Sequence, residues 1–525
     1  MKKFLLTAAF MLCLSGCFEN TAKETEPLLP APTETETVAP TETLPTYGGT
    51  LKVPMRQPTT LNPLYNEDTT VDSVLKLLFE PLMAVNQQLE PQANLGSFNF
   101  ASDGLSVTID LREGLVWSDG IPMTTEDIVF SLDTLQNAPD NAIYKQNVSN
   151  ISPTYFITDE RKIKLEFLQP YSGMAYELCF PIIPKHYYEG ETDPASDANM
   201  KPVGNGLYVF LEYDNTKSMA LNFNPNTYRK KPYIASVEAV VVPDQESELY
   251  AFDQRLIDIV SAEIADWGKY RTNPETNINE YTTGYYDFVG FNFNTVAMSK
   301  RAVREAVAHA LNIDDIVNSI YLGHATRTYT AVNPNSWLFE PDVRQYEFDL
   351  EKSSNLLASA GYNDSNKLNL RLLVNTENSE RVKIAAILYK NLTQLGVTVQ
   401  LEQLRFAEYK KKLDEKDFDL FIGGLNLSIA PDLSFAFGYD TLSDNMFAYR
   451  DDSTNALLAA AFQAAGQNSH KKAMSDLQKR LAEELPCVSL VFRKSAMLSD
   501  RRVYGEKRPT AINIFANINE WFIVR

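Results

Sequence analysis

The chain has 525 residues, 44% hydrophobic and 22% charged, which is too long for one core and too apolar for a largely disordered chain. Its 48 Lys and Arg against 68 Asp and Glu leave a net charge of −20, which argues against the basic face that nucleic-acid binding needs. Four cysteines in this length exclude a disulfide-dense scaffold.

The chain opens with Met1-Lys2-Lys3, an apolar stretch from Phe4 to Leu14, and the small residues Ser15-Gly16 before Cys17. That order predicts a secretory signal peptide over residues 1–16. The apolar stretch is too short to span a bilayer, which takes about 20 residues. Leu14-Ser15-Gly16-Cys17 is also similar to the bacterial lipobox, which implies lipidation of Cys17 and cleavage just before it. Residues 18–46 hold eight Thr, six Glu and five Pro, a composition that cannot offset its own ordering entropy. With Cys17 they are expected to form a lipidated tether (17–46), reaching about 30 Å as a coil or about 90 Å as polyproline II. No later segment approaches 18 consecutive apolar residues, so no transmembrane span is expected.

The remaining body alternates strand and helix signals, the mark of an α/β protein. Residues 50–55 and 105–112 read as strands, the second from the strict alternation Ser106-Val107-Thr108-Ile109-Asp110-Leu111. Thr124-Thr125-Glu126-Asp127 opens an amphipathic helix, with Thr124 as its cap and acids in its first turn. Ser299 is expected to cap a helix with Val303, Ala306, Val307, Ala310 and Leu311 inward. Asp349 caps another, with Leu350, Leu356, Leu357 and Ala360 inward and Gly361 as its stop.

Residues 368–402 predict a β-α-β crossover with parallel pairing. Its first strand carries Leu368, Leu370, Leu372 and Val374. A helix capped by Ser379 follows, with Val382, Ala385, Ala386, Tyr389, Leu392 and Leu395 as its apolar face. Gly396 ends that helix, and Val397, Val399 and Leu401 form the second strand. A further strand runs over Asp417–Ile422 and is expected to end at Gly423-Gly424. Cys179 and Cys487 are expected as two separate buried thiols, although an exported location also permits a bridge.

Catalytic signatures are missing. The four histidines, His186, His309, His324 and His470, show no metal-ligand spacing, and His309 is expected to be a structural helix residue. No nucleophile elbow, phosphate-binding loop or dinucleotide turn occurs, so neither a cofactor nor an enzymatic reaction is expected. Aromatic residues make up 11% of the chain, and Tyr281, Tyr285, Tyr286, Phe288, Phe291 and Phe293 crowd one segment. Such a cluster packs a core or forms the wall of a ligand pocket.

From Gly48 to about residue 500 the order of segments resembles the bacterial extracellular solute-binding proteins of family 5, the peptide/nickel class of ABC importers. The matching blocks begin with Gly48-Gly49-Thr50-Leu51-Lys52-Val53, Thr60-Leu61-Asn62-Pro63 and Leu78-Phe79-Glu80-Pro81-Leu82. The most specific runs through Leu111-Arg112-Glu113-Gly114-Leu115-Val116-Trp117-Ser118-Asp119-Gly120 and Pro122-Met123-Thr124-Thr125-Glu126-Asp127-Ile128-Val129-Phe130-Ser131. Pro202-Val203-Gly204-Asn205-Gly206-Leu207-Tyr208, Asn224-Pro225-Asn226-Thr227-Tyr228 and Arg301-Ala302-Val303-Arg304-Glu305-Ala306 follow in family order.

The resemblance implies a two-lobed α/β fold of the periplasmic-binding-protein type (type II, cluster C). Lobe I would cover 47–285, with an extra subdomain near 85–200, and would be completed by 490–525. Lobe II would cover 286–489. It further implies a monomeric, lipid-anchored receptor on the outer face of the cell membrane. This receptor would close on a solute and hand it to ABC permease subunits and, through them, to the ATPases. Short peptide is the first expectation. A saccharide, a chelated metal or a sensory role coupled to signalling are the alternatives.

Carried over position by position, the binding residues would be Glu67, Asp68 and Thr69, the aromatic wall Tyr285 and Tyr286, the strand end Gly424, Leu425 and Asn426, and Ser428 and Asp432. Three departures stand out. Leu425 replaces the family's tryptophan, Ser428 falls where relatives place the acid that pairs with a peptide amine, and Ile422 falls at a basic position.

Overall fold

A computed structural model describes residues 44–263, 267–439 and 445–524. The signal peptide, Cys17 and nearly all of the tether therefore lie outside the described residues. Of the described helices, none is long and apolar enough to cross a membrane.

Two four-stranded sheets and one seven-stranded sheet carry the structure. In the first, Thr50–Met55 pairs in parallel with Ser236–Val241, which continues antiparallel to Ser218–Phe223 and Tyr208–Asp214. The second is antiparallel, in the order Gly96–Phe100, Ser106–Leu111, Lys162–Phe167, Ile151–Ile157. Ser106–Leu111 buries Val107, Ile109 and Leu111 on one face, as its alternation predicts.

The helix Thr125–Asn137 follows its expected cap. Thr124 and Asp127 form a reciprocal capping box. Asp127 also accepts from the indole of Trp117 at 3.2 Å and from the Lys185 amide at 2.8 Å. The distinctive Trp117-to-Asp127 block is thus one hydrogen-bonded corner.

The seven-stranded sheet is built on two long strands, Thr276–Phe291 and Cys487–Asp500, paired antiparallel. Their register breaks between Thr282 and Tyr286. On one side of this break they adjoin a core of Leu51, Val53, Ile109, Trp117, Tyr208, Ile259, Met497 and Trp521. On the other side they run between two further cores. One holds Val289, Phe291, Leu372, Ile422 and Leu490, and the other holds Tyr286, Phe288, Phe421, Cys487 and Phe492. Odd and even residues of the same strand thus serve opposite faces, as pleating requires.

The crossover over 368–402 is present: Asn369–Asn375 pairs in parallel with Thr398–Leu404 across the helix Ser379–Gln394. Three details differ from expectation. The cap is Asn378, which accepts from the Arg381 amide, rather than Ser379. The buried stripe is Ile384, Ala385, Leu388 and Leu392, while Tyr389 is exposed. Leu420–Asn426 runs through its glycines instead of ending at them. A Cβ on Gly423 would stand 2.6 Å from the Phe421 ring and 2.9 Å from Phe288, so that glycine makes room for aromatic packing.

The other helices keep their faces. Arg301–His309 and its flank bury all five predicted residues, although Ser299 belongs to a preceding short turn and Lys300 stands at the cap position. Asp349 caps Leu350–Ser359 by accepting from the Lys352 amide. Gly361 lies in the left-handed region that ends such a helix. His309 is buried, with Nδ1 2.6 Å from the Glu347 carbonyl. Cys179 and Cys487 are free thiols.

Candidate functional site

A cavity of about 510 Å³ opens between segments that belong to different cores. One wall is Asp72, Lys76, Phe79 and Glu80, then Tyr144, Tyr171, Tyr176 and Glu177, and Arg229; of these, Phe79, Tyr144 and Tyr171 pack in the first core. The opposite wall is Ser428-Ile429-Ala430, directly after the strand Leu420–Asn426. A second cavity of about 220 Å³ shares Ser428, Ile429 and Ile512 with it. This second cavity extends to Gly284, Asn426 and Phe492 at the break in the long strands. These volumes suit a small solute.

The first wall carries two ion pairs. Asp72 sits 2.5 Å from the ammonium of Lys76, one turn on in the same helical segment, and accepts from the Tyr144 hydroxyl at 2.7 Å. Glu80, 5% exposed, takes Arg229 at 2.9 Å and the Asn94 amide at 2.9 Å. Glu80 is positioned by the Gly204-Asn205-Gly206 turn, because Asn205 Oδ1 accepts from its backbone N–H at 2.8 Å. The third acid of the wall, Glu177, is 6% exposed, and its Oε2 has no hydrogen-bond partner. Burial pushes its pKa up to about 8. Burial also raises the Tyr144, Tyr171 and Tyr176 hydroxyls and pushes the Cys179 thiol up to about 12, so these groups are neutral at physiological pH.

The halves also touch beside the cavity. The Trp337 indole donates to the Tyr176 hydroxyl at 3.0 Å, and the Trp337 amide donates to the Gln88 carbonyl at 2.8 Å. Ser172 N–H donates to the Phe462 carbonyl at 2.7 Å, where the Tyr171 and Phe462 rings lie 4.7 Å apart.

The residues expected from sequence divide into several groups. Ser428 lines both cavities and Asn426 the smaller one. Tyr285 is 48% exposed and pairs with Asn426 beside the smaller cavity. Tyr286 does not face a cavity. Strand alternation turns it into the core, where it stacks on Phe288 at 5.3 Å and hydrogen-bonds Ser489 at 2.6 Å. Asp68 caps the helix Thr69–Leu75 by accepting from the Thr70 and Val71 amides. Glu67 and Thr69 are exposed beside it, and the same helix and its C-cap present Asp72 and Lys76 to the cavity instead. Leu425 is half-buried in an aromatic core. Asp432 accepts from the Ser434 amide at 2.9 Å and lines a small crevice with Phe462 and His470.

Gly424 supports a different cluster. Asp287, fully buried across the strand pair, is held by Arg381 at 2.7 Å, by Arg493 at 2.5 Å and by the Tyr321 hydroxyl at 2.8 Å. A Cβ on Gly424 would fall on the Arg381 guanidinium, 2.5 Å from its central carbon.

Sequence reasoning missed the wall of Asp72, Lys76, Tyr144, Tyr176, Glu177 and Arg229. One weak signal was available: Asp72 and Lys76 stand four residues apart at the end of a helical stretch. Glu80 lay inside a block already singled out, Leu78-Phe79-Glu80-Pro81-Leu82. Glu177 offers no sequence signal.

Residues 91–447 match the family described as bacterial extracellular solute-binding proteins, family 5 (middle). The oligopeptide-binding protein AppA of Bacillus subtilis is 23% identical over 511 residues, covering 92% of this chain and 93% of that protein. A crystal structure of AppA from Bacillus subtilis in complex with a nonapeptide superposes with a TM-score of 0.61 at 22% identity, covering 92% of this chain and 100% of that one. The ABC transporter substrate-binding protein CtaP of Listeria monocytogenes superposes with a TM-score of 0.76 at 22% identity, covering 91% and 100%. These likenesses show the two-lobed fold.

Proposed function

The chain belongs to the bacterial extracellular solute-binding proteins of family 5, and from that premise we propose that it is the receptor of an ABC importer, taking short peptides into its interlobe cavity. The observation that carries this reading is the cavity itself, whose two walls come from different cores. A solute bound there contacts both lobes at once, so its binding energy favours the arrangement in which they approach. Peptide is further supported by the strand Leu420–Asn426. Its outer edge pairs with Asn369–Asn375 only through Leu420 and Phe421, which leaves the edge beyond Ile422 without a strand partner among the described residues. An extended peptide backbone can pair with such an edge whatever its side chains.

A lobe division near 285/286 is supported by the separation of the cores around the two long strands, whereas Leu490, Val491 and Phe492 still pack with the second lobe, so we place the return to the first lobe after Phe492 rather than at 489/490. The start of the sequence supports export, lipidation of Cys17 and a tether over 17–46 that would hold the receptor close to its permease. Within the proposed site we place Asn426 and Ser428 at the cavity, Tyr285 at its rim, and the ion-paired wall opposite.

A thermal-shift screen of the whole chain tests the reading. Peptide mixtures are expected to raise the melting temperature, because a ligand that binds only the folded state stabilises it by about 2.7 kcal/mol at a hundredfold excess over Kd. A shift with saccharides or metal chelates and none with peptides would refute the peptide assignment.

A further inference from the structure

We infer that Glu177 is a cation anchor, so that the preferred solute carries an ammonium or guanidinium group docked against this carboxylate; this rests on the receptor reading above. Glu177 ends the short helix Met174–Glu177 and lines the larger cavity while only 6% exposed. Its Oε2 is buried with no hydrogen-bond partner. A buried carboxyl left in this state is costly, and a native structure that keeps one calls for a role that explains it.

Among the described residues the protein supplies no partner for Oε2. The cavity's two cations are committed, Lys76 to Asp72 and Arg229 to Glu80. Tyr144, Tyr171, Tyr176 and Cys179, which share the wall, are neutral and add no positive charge. With Glu177 ionised the wall carries one uncompensated negative charge, and a solute cation cancels it. The three tyrosine rings favour the same occupant, since a cation is attracted to aromatic faces. The carboxyl's raised pKa of about 8 is the expected state of an acid waiting for its counter-charge.

This assignment differs from recognition by the second lobe. There Ser428 stands where an acid was sought, and no carboxylate follows until Asp432, whose Oδ1 accepts from the Ser434 amide. The charge that orients the solute is thus moved to the first lobe.

Binding of a cation requires Glu177 to lose its proton, so near pH 7 close to one proton is released per solute bound. Affinity for Ala-Lys-Ala, whose lysine stays charged, is then expected to rise with pH up to about 8 and level off above it, while affinity for Ala-Ala-Ala falls again above about 8 as its α-amine loses its proton. Calorimetry of the full chain with Ala-Lys-Ala, Ala-Ala-Ala and N-acetyl-Ala-Ala-Ala, each in two buffers of different ionisation enthalpy, reads both quantities. The two cationic peptides are expected to bind at least about tenfold more tightly than the acetylated one and to release a proton, since a charge-assisted hydrogen bond is at stake. Glu177→Gln is expected to remove both the preference and the proton release. Equal binding of all three peptides without proton release would overturn the inference and leave the receptor reading intact. Binding of none would remove the peptide reading and this inference with it. The proton count is measured on the unaltered chain, so the test stands even if the variant folds poorly.

Discussion

Asp287→Asn is expected to lower the stability of the protein by about 3–5 kcal/mol, the cost of removing one partner from a buried ion cluster. Asp287 is fully buried and, among the described residues, is the one acid paired with Arg381 and Arg493, both about four-fifths buried. Without its charge two guanidiniums remain inside the protein uncompensated. Burial alone would raise the Asp287 pKa, but the two arginines more than reverse this and hold it below the usual carboxylate range. The contribution is therefore present above the unfolded value of about 3.9, and it is lost as pH falls through the lowered folded value. Urea denaturation at pH 7 checks the prediction; an unchanged midpoint would contradict it. The cluster joins Arg493 on one long strand and Asp287 on the other to the helix Ser379–Gln394. The second lobe is thereby fixed to the strands that lead out of it.

Gly204→Ala is expected to cost about 3 kcal/mol, at the upper end of the range for overpacking. A Cβ there would collide with the Leu78 carbonyl oxygen and stand 2.9 Å from its carbon. Both obstacles are backbone, so no side chain can turn away. Gly206 meets the same stretch of chain, 2.6 Å from the Leu78 carbon, while its own N–H donates to the Leu78 carbonyl at 2.8 Å. Asn205 between them holds Glu80 over the cavity. The substitution is thus expected to weaken solute binding along with stability. Denaturation and calorimetry on the same variant read the two effects, and wild-type values in both would show that the turn can relax.

Local structure was legible where a single segment determines it. Ser106–Leu111 announces its strand by alternation, and Asp349 announces a helix start by its side chain. The helix Ser379–Gln394 was legible in extent but not in orientation. Several stripes along sixteen residues are apolar enough to bury, and the sheet beneath selects Ile384 and Leu388 over Ala386 and Tyr389. Gly423 and Gly424 read as a strand end because glycine weakens strands. Their actual role, making room for two rings and a guanidinium, depends on Phe288 and Arg381, which other elements bring beside them.

The site was legible only in part. Asn426 and Ser428, named because the resemblance fixes their strand, line the cavities. Tyr286 was misplaced because two adjacent strand residues cannot face the same cavity. The opposite wall is assembled from residues near 72–80, 144, 171–179 and 229, and no pattern in sequence brings those together. Glu177 stands out because its Oε2 lacks a partner, and that is visible only in three dimensions.

The most direct measurement of the central claim is a native mass spectrum of the full chain purified without unfolding. One-to-one adducts with masses of short peptides are expected, displaced by an added peptide of higher affinity. Adducts with the mass of a saccharide or a metal chelate, not displaced by any peptide, would contradict it.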